Sequence, residues 1–481
     1  MITLTESQKK VFKSMKDFIY KSDDRVFLLK GYAGTGKTTL MRFLIDDLNK
    51  KEREYRLLAS TGRAAKVLGD LSGNVATTIH GMIYTLKDLN KDISAIAETS
   101  TDDSGQLFLV FEPNVVGNET GECIYIVDEA SMIGDLETKC VTQAKFGTGR
   151  LLKELLHYDQ RKGSKFIFVG DPCQLPPVSQ TSSPALDQKY FMNEFRLQAQ
   201  EAQLTEIMRQ GKDSSLITVS QDIRRRYSHS PETPESYGKM KIWGERFHFR
   251  HCRDIQILTS NEVLLQNYVN DVKTNGFDNA IYLCRSNNDC YKMSLTVRQQ
   301  LGFRGRVCVG DQLMVVQNNL LTGLVNGDMV EVVELHSKIE RRANQDFRRV
   351  KVKNLFDGTI HSILLMESLL DCSTPNVSAD EQTELFKDFA IRMHHMGIKQ
   401  KRDEERFREH LMNDEYLNAL RCMYGYAVTC HKAQGGEWNN VYLQMPRNLT
   451  LNPVKGNYQW LYTAITRAKK SLSVVRDFFI D

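Results

Sequence analysis

Gly31-Tyr-Ala-Gly-Thr-Gly-Lys-Thr-Thr39 decides the fold of this chain. Every fixed position of the G-x-x-x-x-G-K-[ST] phosphate loop is present. Upstream, Arg25-Val-Phe-Leu-Leu-Lys30 is the apolar run of a buried strand; downstream, Leu40, Phe43, Leu44 and Leu48 recur at helical spacing. Strand, glycine turn and helix together form the P-loop unit of an α/β sheet. In that unit backbone N–H groups close around a polyphosphate, aided by the positive end of the following helix. Gly34, Thr35, Gly36, Lys37, Thr38 and Thr39 are the expected nucleotide contacts. Lys37 reaches the terminal phosphates, and the Thr38 hydroxyl is a ligand for Mg²⁺.

Working outward, the length of 481 residues suits about three or four compact units. Hydrophobic residues make up 41% and charged residues 26%, which fits a globular chain with real cores. The net charge of +4 is a small difference between 64 basic and 60 acidic residues. That balance excludes a histone-like basic tail and leaves room for a local basic channel. Ten cysteines without a CxxC pair argue against a disulfide framework and for a reducing compartment. No apolar run approaches membrane-spanning length. The expectation is a soluble protein of the cytoplasm with no membrane partner.

Residues 5–21 begin with a Thr-x-x-Gln capping pattern and carry Val11, Met15, Phe18 and Ile19 on one stripe, with Gln8 expected on the exposed side. Tyr55–Ala59 reads as a strand ending in the polar turn Ser60-Thr61-Gly62, followed by a helix; another helix starts near Thr77-Thr-Ile-His80. Residues 86–121 are polar with one alternating run, Gln106-Leu-Phe-Leu-Val-Phe111, the pattern of a small inserted β-hairpin. Two more apolar strands, Cys123–Val127 and Lys165–Val169, end in Asp128-Glu129 and in Gly170-Asp-Pro-Cys-Gln-Leu-Pro-Pro177. Polar residues at the C-terminal ends of apolar strands place a site on that edge of a parallel sheet. The polar run 211–250, with Arg224-Arg-Arg226, reads as a hinge into a second α/β half. Within it, short strands at 310–316, 328–333 and 349–352 suit a small barrel. Leu385, Phe389, Met393 and Met396, then Phe407 and Leu411, suit a helical hairpin turning near Gly397.

A carboxylate pair beside a phosphate loop supplies what phosphoryl hydrolysis needs. Asp128 serves Mg²⁺, and Glu129 orients and deprotonates the attacking water. Arg209, ending Leu204-Thr-Glu-Ile-Met-Arg209, and Arg467, on a helix within Trp460–Ala468, are candidate cations for the transferred phosphoryl group.

The ordered motifs resemble a superfamily 1 helicase, and more narrowly the superfamily 1B group of RecD and phage Dda. Gln8 resembles its adenine-reading glutamine, Ala59–Ala65 and Thr78-Ile-His80 its strand-contacting elements, and Asp128-Glu-Ala-Ser-Met132 its Walker B form. Gln174 falls in a match to G-D-x-x-Q-L-P-P as the γ-phosphate sensor, and Arg209 in a match to L-T-x-x-x-R-Q. Tyr426–Gly435 matches Y-A-x-T-x-H-K-x-Q-G, and Tyr462–Arg467 matches Y-T-A-x-T-R. Gly436-Glu-Trp438 stands where Ser-Glu-Phe is common, with Glu437 retained as the ribose contact beside Gly435. Asn326-Gly-Asp328 fits the turn that opens the small barrel.

The resemblance implies an α/β fold of two RecA-like parallel-sheet domains, with a β-hairpin insert and an SH3-like barrel insert carrying a helical protrusion. The expected divisions are 1–85 with 122–215 and 216–324 with 421–481 for the two halves, 86–121 for the strand-separating hairpin, and 325–420 for the barrel insert. It implies ATP and Mg²⁺ as cofactors, with single-stranded DNA and ss/ds junctions as partners. Thr61, Arg63, His80, Asn326, Thr429, His431 and Lys432 are the implied strand contacts. It implies 5′-to-3′ travel and duplex unwinding in replication, recombination or repair. A single-strand-binding, nuclease or replisome protein is compatible with it as a further partner. Phe108 and Phe111 are candidate wedge residues. Two alternatives stay open: an RNA-directed helicase of the same superfamily, and a nucleotide-switched clamp on single strands.

Overall fold

Alternation along three neighbouring strands shows how the first half is built. In a computed structural model describing residues 3–91, 93, 107–116, 121–137, 144–161, 163–208, 214–231, 247–446, 454–476 and 480, Val26 and Leu28 pack on one side of the sheet while Phe27 and Leu29 pack on the other. Val127 against Ile126, and Phe168 against Ile167, divide in the same way. Both faces are therefore apolar and covered, as parallel sheets require.

The chain runs α1 (Glu6–Lys21), β1 (Val26–Gly31), α2 (Lys37–Lys50), β2 (Tyr55–Ala59), α3 (Gly62–Ser72), β3 (Ala76–Thr78) and α4 (Ile79–Ile83). There follow β4 (Tyr84–Leu89), β5 (Leu109–Pro113), β6 (Ile124–Asp128), β7 (Ala144–Phe146), α5 (Leu151–Tyr158), β8 (Lys165–Gly170) and β9 (Ala199–Leu204). Strand order β3-β2-β6-β8-β1-β9, parallel throughout, brings the ends of β6, β8 and β1 side by side. Those ends carry the carboxylate pair, the Gly170 loop and the phosphate loop.

The second half repeats the plan. Helix α6 (Ser215–His229) leads to β10 (Ile255–Leu258), α7 (Asn261–Asn275), β11 (Ala280–Cys284) and α8 (Asn287–Leu301). An antiparallel insert follows: β12 (Gln312–Val315), β13 (Met329–Arg342), β14 (Gln345–Asn354), β15 (Ile360–Met366), α9 (Ala379–His395), α10 (Glu404–Asn413) and β16 (Cys422–Tyr424). The chain then returns through β17 (Ala427–Thr429), β18 (Trp438–Leu443), α11 (Lys455–Ile465) and β19 (Ala468–Val475). The second parallel sheet has the order β10-β19-β18-β11-β17. The fold is thus two RecA-like sheets with inserts.

The inserts differ in detail from the sequence reading. The first is a three-stranded sheet, β4-β5-β7, whose third strand comes from 144–146, beyond the hairpin expected at 86–121. The second insert's sheet, β15-β14-β13-β12-β16, takes β12 and β16 from outside 325–420. Its helical pair turns at Gly397, whose φ of +69° suits a residue without Cβ. Leu385, Phe389, Met393, Phe407 and Leu411 are buried, whereas Met396 caps α9 in solvent. The two inserts meet: the Ile93 N–H donates to Gln400 Oε1 at 2.8 Å, and Gln400 Nε2 donates to Asp88 Oδ1 at 2.9 Å. Among the described residues no helix is long and apolar enough to cross a membrane.

Candidate nucleotide cleft and strand channel

The phosphate loop leaves β1 at Gly31 and enters α2 through Gly34 at φ +75° and Gly36 at φ +83°, left-handed values that glycine adopts freely. A Cβ on Gly36 would lie 2.5 Å from the Gln8 amide nitrogen. Gln8 is buried, at 5% exposure, not on an open face. It stands one turn before Val11 on the same stripe, and its polar ends are both used. Its Oε1 accepts from the Thr5 N–H at 3.1 Å, and its Nε2 donates to the Thr35 carbonyl at 3.2 Å. The capping box of α1 therefore also braces the loop. The Lys37 ammonium donates to the carbonyls of Gly31 at 2.7 Å and Tyr32 at 3.1 Å, and the Thr35 hydroxyl donates to Tyr32 at 2.8 Å. Thr38 and Thr39 follow in the first turn of α2.

Asp128 ends β6, opposite Ala59 of β2. Burial, and next the charge of Glu129, hold its carboxyl above the usual carboxylate range, with Lys37 pulling the other way. Glu129 sits at φ +50°, a strained value for a residue with a side chain, and its N–H donates to Asp128 Oδ1 at 2.8 Å. Gln174 follows β8, is buried, and its Oε1 has no hydrogen-bond partner among the described residues. An orphaned acceptor in such a place is unusual enough to mark a ligand position.

The second half closes on this edge through α11. The Tyr462 hydroxyl donates to Asp171 Oδ2 at 2.8 Å and accepts the N–H of Ala33 at 3.0 Å. Leu175 N–H donates to the Thr463 hydroxyl at 3.0 Å, and Gln459 Nε2 to the Gln174 carbonyl at 3.2 Å. Arg467 lies just past the end of α11, in the turn before β19, and not on the helix as expected. Its guanidinium donates to the carbonyls of Thr463 and Gly436, each at 3.0 Å, and to the Thr466 hydroxyl at 3.2 Å. Burial pulls its pKa below the ordinary guanidinium value, and the charge of Glu129 opposes that shift. Arg209 lies outside the described residues; one residue earlier, the Met208 N–H donates to the Gly34 carbonyl at 2.7 Å. Gly435, at φ +75°, packs on Ala64 at the start of α3, 3.7 Å from where its Cβ would be. Glu437 is half-buried on the same loop.

On the other side of the junction lies a cavity of about 710 Å³. Six of the seven expected strand contacts line it: Thr61, Arg63, His80, Asn326, His431 and Lys432. Thr429 does not; it is buried at the end of β17, where its hydroxyl accepts the Lys432 N–H at 3.4 Å. Thr61 caps α3 by accepting the Ala64 N–H at 3.2 Å, which leaves its O–H free to donate. Arg63 lies 4.9 Å over the Trp438 ring, so part of its surface is spent on the opposite half. Burial keeps His80 and His431 below the usual histidine pKa and Lys432 below the usual lysine value. Phe111 and Phe146 of the small sheet stack at 4.6 Å on the channel wall, with His80 edge-on to Phe146 at 5.2 Å. Lys66 pairs with buried Asp328 at 2.7 Å, tying α3 to the second insert.

Sequence reasoning missed Asp171, Tyr462, Thr463 and Phe146. The first three stand inside the quoted motifs, where only the glutamine and the arginine were singled out. Phe146 carried no signal, because its strand partner lies far away in the chain.

The chain matches an AAA domain over residues 3–230 and a UvrD-like helicase C-terminal domain over residues 424–475. It is 25% identical to an uncharacterized protein of Methanocaldococcus jannaschii over 94% of this chain and 36% of that one. It is 24% identical to the ATP-dependent DNA helicase dda of Enterobacteria phage T4 over 73% of this chain and 70% of that one. The crystal structure of a Pif1 helicase from Bacteroides aligns with 100% of this chain and 94% of its own, at 17% identity and a TM-score of 0.49. The chain thus spans about a third of the archaeal relative and about two thirds of the phage one. Two parallel sheets meeting over a phosphate loop, a Walker B pair and the motif order from Gln8 to Arg467 agree with both domain matches, and together with the phage relative they support a superfamily 1B helicase.

Proposed function

We propose that the chain is an ATP-dependent DNA helicase that moves 5′ to 3′ along a single strand and unwinds duplex ahead of it, in replication, recombination or repair, within the cytoplasm of a bacterium or of a phage-infected cell. The observation that carries this reading is the gathering of six expected strand contacts around one cavity, across the junction from the phosphate loop. The named activity of the phage relative agrees with it.

In this mechanism Gln8 reads the adenine and Glu437, beside Gly435, meets the ribose. Lys37 holds the terminal phosphates, and Glu129 takes the proton of the attacking water. The donor set suits Mg²⁺: Asp128 is a carboxylate disfavoured by burial and by Glu129, which a divalent cation would offset, and Thr38 supplies a hydroxyl. The ion would neutralise charge on the phosphate oxygens. Gln174 offers its unpaired Oε1 to report on the γ-phosphate or its attacking water. Arg467 and Arg209 bring positive charge to the transferred group. Phosphate and sugar contacts in the channel carry no sequence information, so the enzyme acts on any strand. The first insert, with Phe108 or Phe111 as its wedge residue, splits the duplex.

The test is a strand-displacement assay on duplexes with 5′ or 3′ tails, beside ATPase measurements with DNA and RNA strands. Unwinding from 5′ tails with DNA-stimulated turnover is the expected result. Unwinding only from 3′ tails overturns the direction, and stimulation by RNA alone overturns the substrate.

A further inference from the structure

Helix α6 carries three successive arginines, and one of them reaches the phosphate loop. Arg225 and Arg226 both pair with Asp222 on the same helix. Arg224 instead lies with its guanidinium 3.8 Å over the ring of Tyr32, the second residue of the phosphate loop. Its NH1 atom is buried and has no hydrogen-bond partner among the described residues. One turn on, the Tyr227 hydroxyl donates to the Pro172 carbonyl at 3.4 Å, so α6 touches the loops after both β1 and β8.

Tyr32 is a consequential place to press. Its carbonyl accepts the Lys37 ammonium at 3.1 Å, the Thr35 hydroxyl at 2.8 Å and the Thr35 N–H at 3.2 Å. Its own hydroxyl is held by Gln203 Nε2 at 3.1 Å on β9. The next residue, Ala33, gives its N–H to Tyr462 of the second half. A guanidinium stacked at this distance fixes the ring plane as well as the charge, which an ammonium does not do. Burial pushes the Asp171 carboxyl above the usual carboxylate range, and Arg224 is one of several groups that oppose that shift.

We propose that Arg224 is a positioning residue for nucleotide hydrolysis: a cation on the helix leading into the second half that sets the phosphate loop through Tyr32, and through Tyr32 the place of Lys37. The inference rests on the ATPase reading above. Arg224 acts on the loop and not on the strand, so its effect belongs in turnover and not in strand affinity.

The experiment compares Arg224→Met, Arg224→Lys, Tyr32→Leu and the Arg224→Met/Tyr32→Leu double variant in the full chain. ATPase kcat and KM are read with and without a DNA strand. Loss of loop placement is expected to lower kcat about tenfold in Arg224→Met while KM for ATP stays within about twofold. Arg224→Lys stays low, because the planar stack is lost although the charge is kept. The double variant falls no further than either single one, the mark of a shared interaction. Arg224→Met turning over like the parent chain, full rescue by lysine, or multiplying effects in the double variant would each overturn the proposal. Should Arg224→Met fold poorly, Tyr32→Leu decides alone, since it leaves α6 intact; unchanged kcat there overturns it too. If strands fail to stimulate the parent chain, the DNA reading fails, and the same ratios taken on basal turnover still decide this one.

Discussion

The two faces of the junction between the halves are built by opposite means. On the nucleotide face, α11 meets the loops after β1 and β8 through direct, buried hydrogen bonds from Tyr462, Thr463 and Gln459. On the strand face, the same halves stand apart around about 710 Å³ of space, with polar groups and the rings of Phe111 and Phe146 on its walls. The difference follows from what each face must do. A set of short buried bonds has few stable arrangements, so it can be switched by one ligand. A wide channel with separated donors lets a strand slide without a sequence preference. The faces share loops: Thr61 and Arg63 open α3 on the channel side, while Gly435 and Gly436 of the second half rest against Ala64 and Arg63. A closure at one face would therefore move contacts of the other.

The comparison breaks most visibly at Glu129. Glu129→Gln removes the proposed general base without touching the channel, so turnover is expected to fall about 10²–10⁴-fold while strand affinity holds. Steady-state ATPase and strand-binding titrations on the same preparation measure both. Equal losses in the two would mean that the faces are not separable.

Tyr462→Phe attacks the bonds of the nucleotide face. The Ala33 N–H loses its partner, and the buried Asp171 carboxylate keeps the Cys173 N–H but loses the hydroxyl, at a cost of about 1–3 kcal/mol for the group left unsatisfied. Urea denaturation should show that loss, and ATPase should lose part of its stimulation by strands, since closure is the step weakened. A variant with parent stability and full stimulation would show that these bonds do not hold the halves together.

Lys432→Ala reports on the open face. A lysine that contacts one phosphate supplies about one released counterion, so the salt dependence of strand binding should flatten by about 1 in log–log slope, with KM for ATP unchanged. An unchanged slope would remove Lys432 from the strand path and leave Thr61, Arg63, His80, Asn326 and His431 as the remaining contacts on the cavity.

Much of this contrast was legible in the sequence, and for one reason. Parallel strands deliver polar residues at their C-terminal ends, so Lys37, Asp128, Glu129 and Gln174 announce themselves after apolar runs. Leu40, Leu44 and Leu48 are buried as their spacing required. What escaped depends on contacts between distant segments. Gln8 reads as a surface amide until the phosphate loop is folded onto it. Ala144–Phe146 joins a sheet begun at Tyr84 through pairing that no local period encodes. Arg224 stands in a polar, arginine-rich run that reads as a hinge, and only the position of Tyr32 distinguishes it from Arg225 and Arg226.

Behind both faces, the strand that delivers Asp128 and Glu129 has an anchor of its own. Tyr125 of β6 donates its hydroxyl to Asp159 at 2.7 Å, just past α5, and that carboxylate also accepts from Ser164 at 2.9 Å and from the Arg161 guanidinium at 2.6 Å. Burial alone would raise its pKa, but the bonds from Arg161, Tyr125 and Ser164 outweigh it and hold the group at about 2, against 3.8 for a free aspartate. A carboxyl depressed by folding stabilises the native state above its unfolded pKa, and that contribution is lost as pH falls through the folded one. The window is therefore from about pH 4 down to about pH 2. Across it the unfolding midpoint of the parent chain should fall, while Asp159→Asn, already less stable at neutral pH, should show a shallower acid limb. At neutral pH the variant should keep ATPase turnover within about twofold of the parent, because the anchor lies at the far end of β6 from the cleft. Parallel acid limbs would show that Asp159 does not carry this pH dependence; a lost turnover with intact stability would show that the anchor, and not the junction alone, sets the catalytic carboxylates.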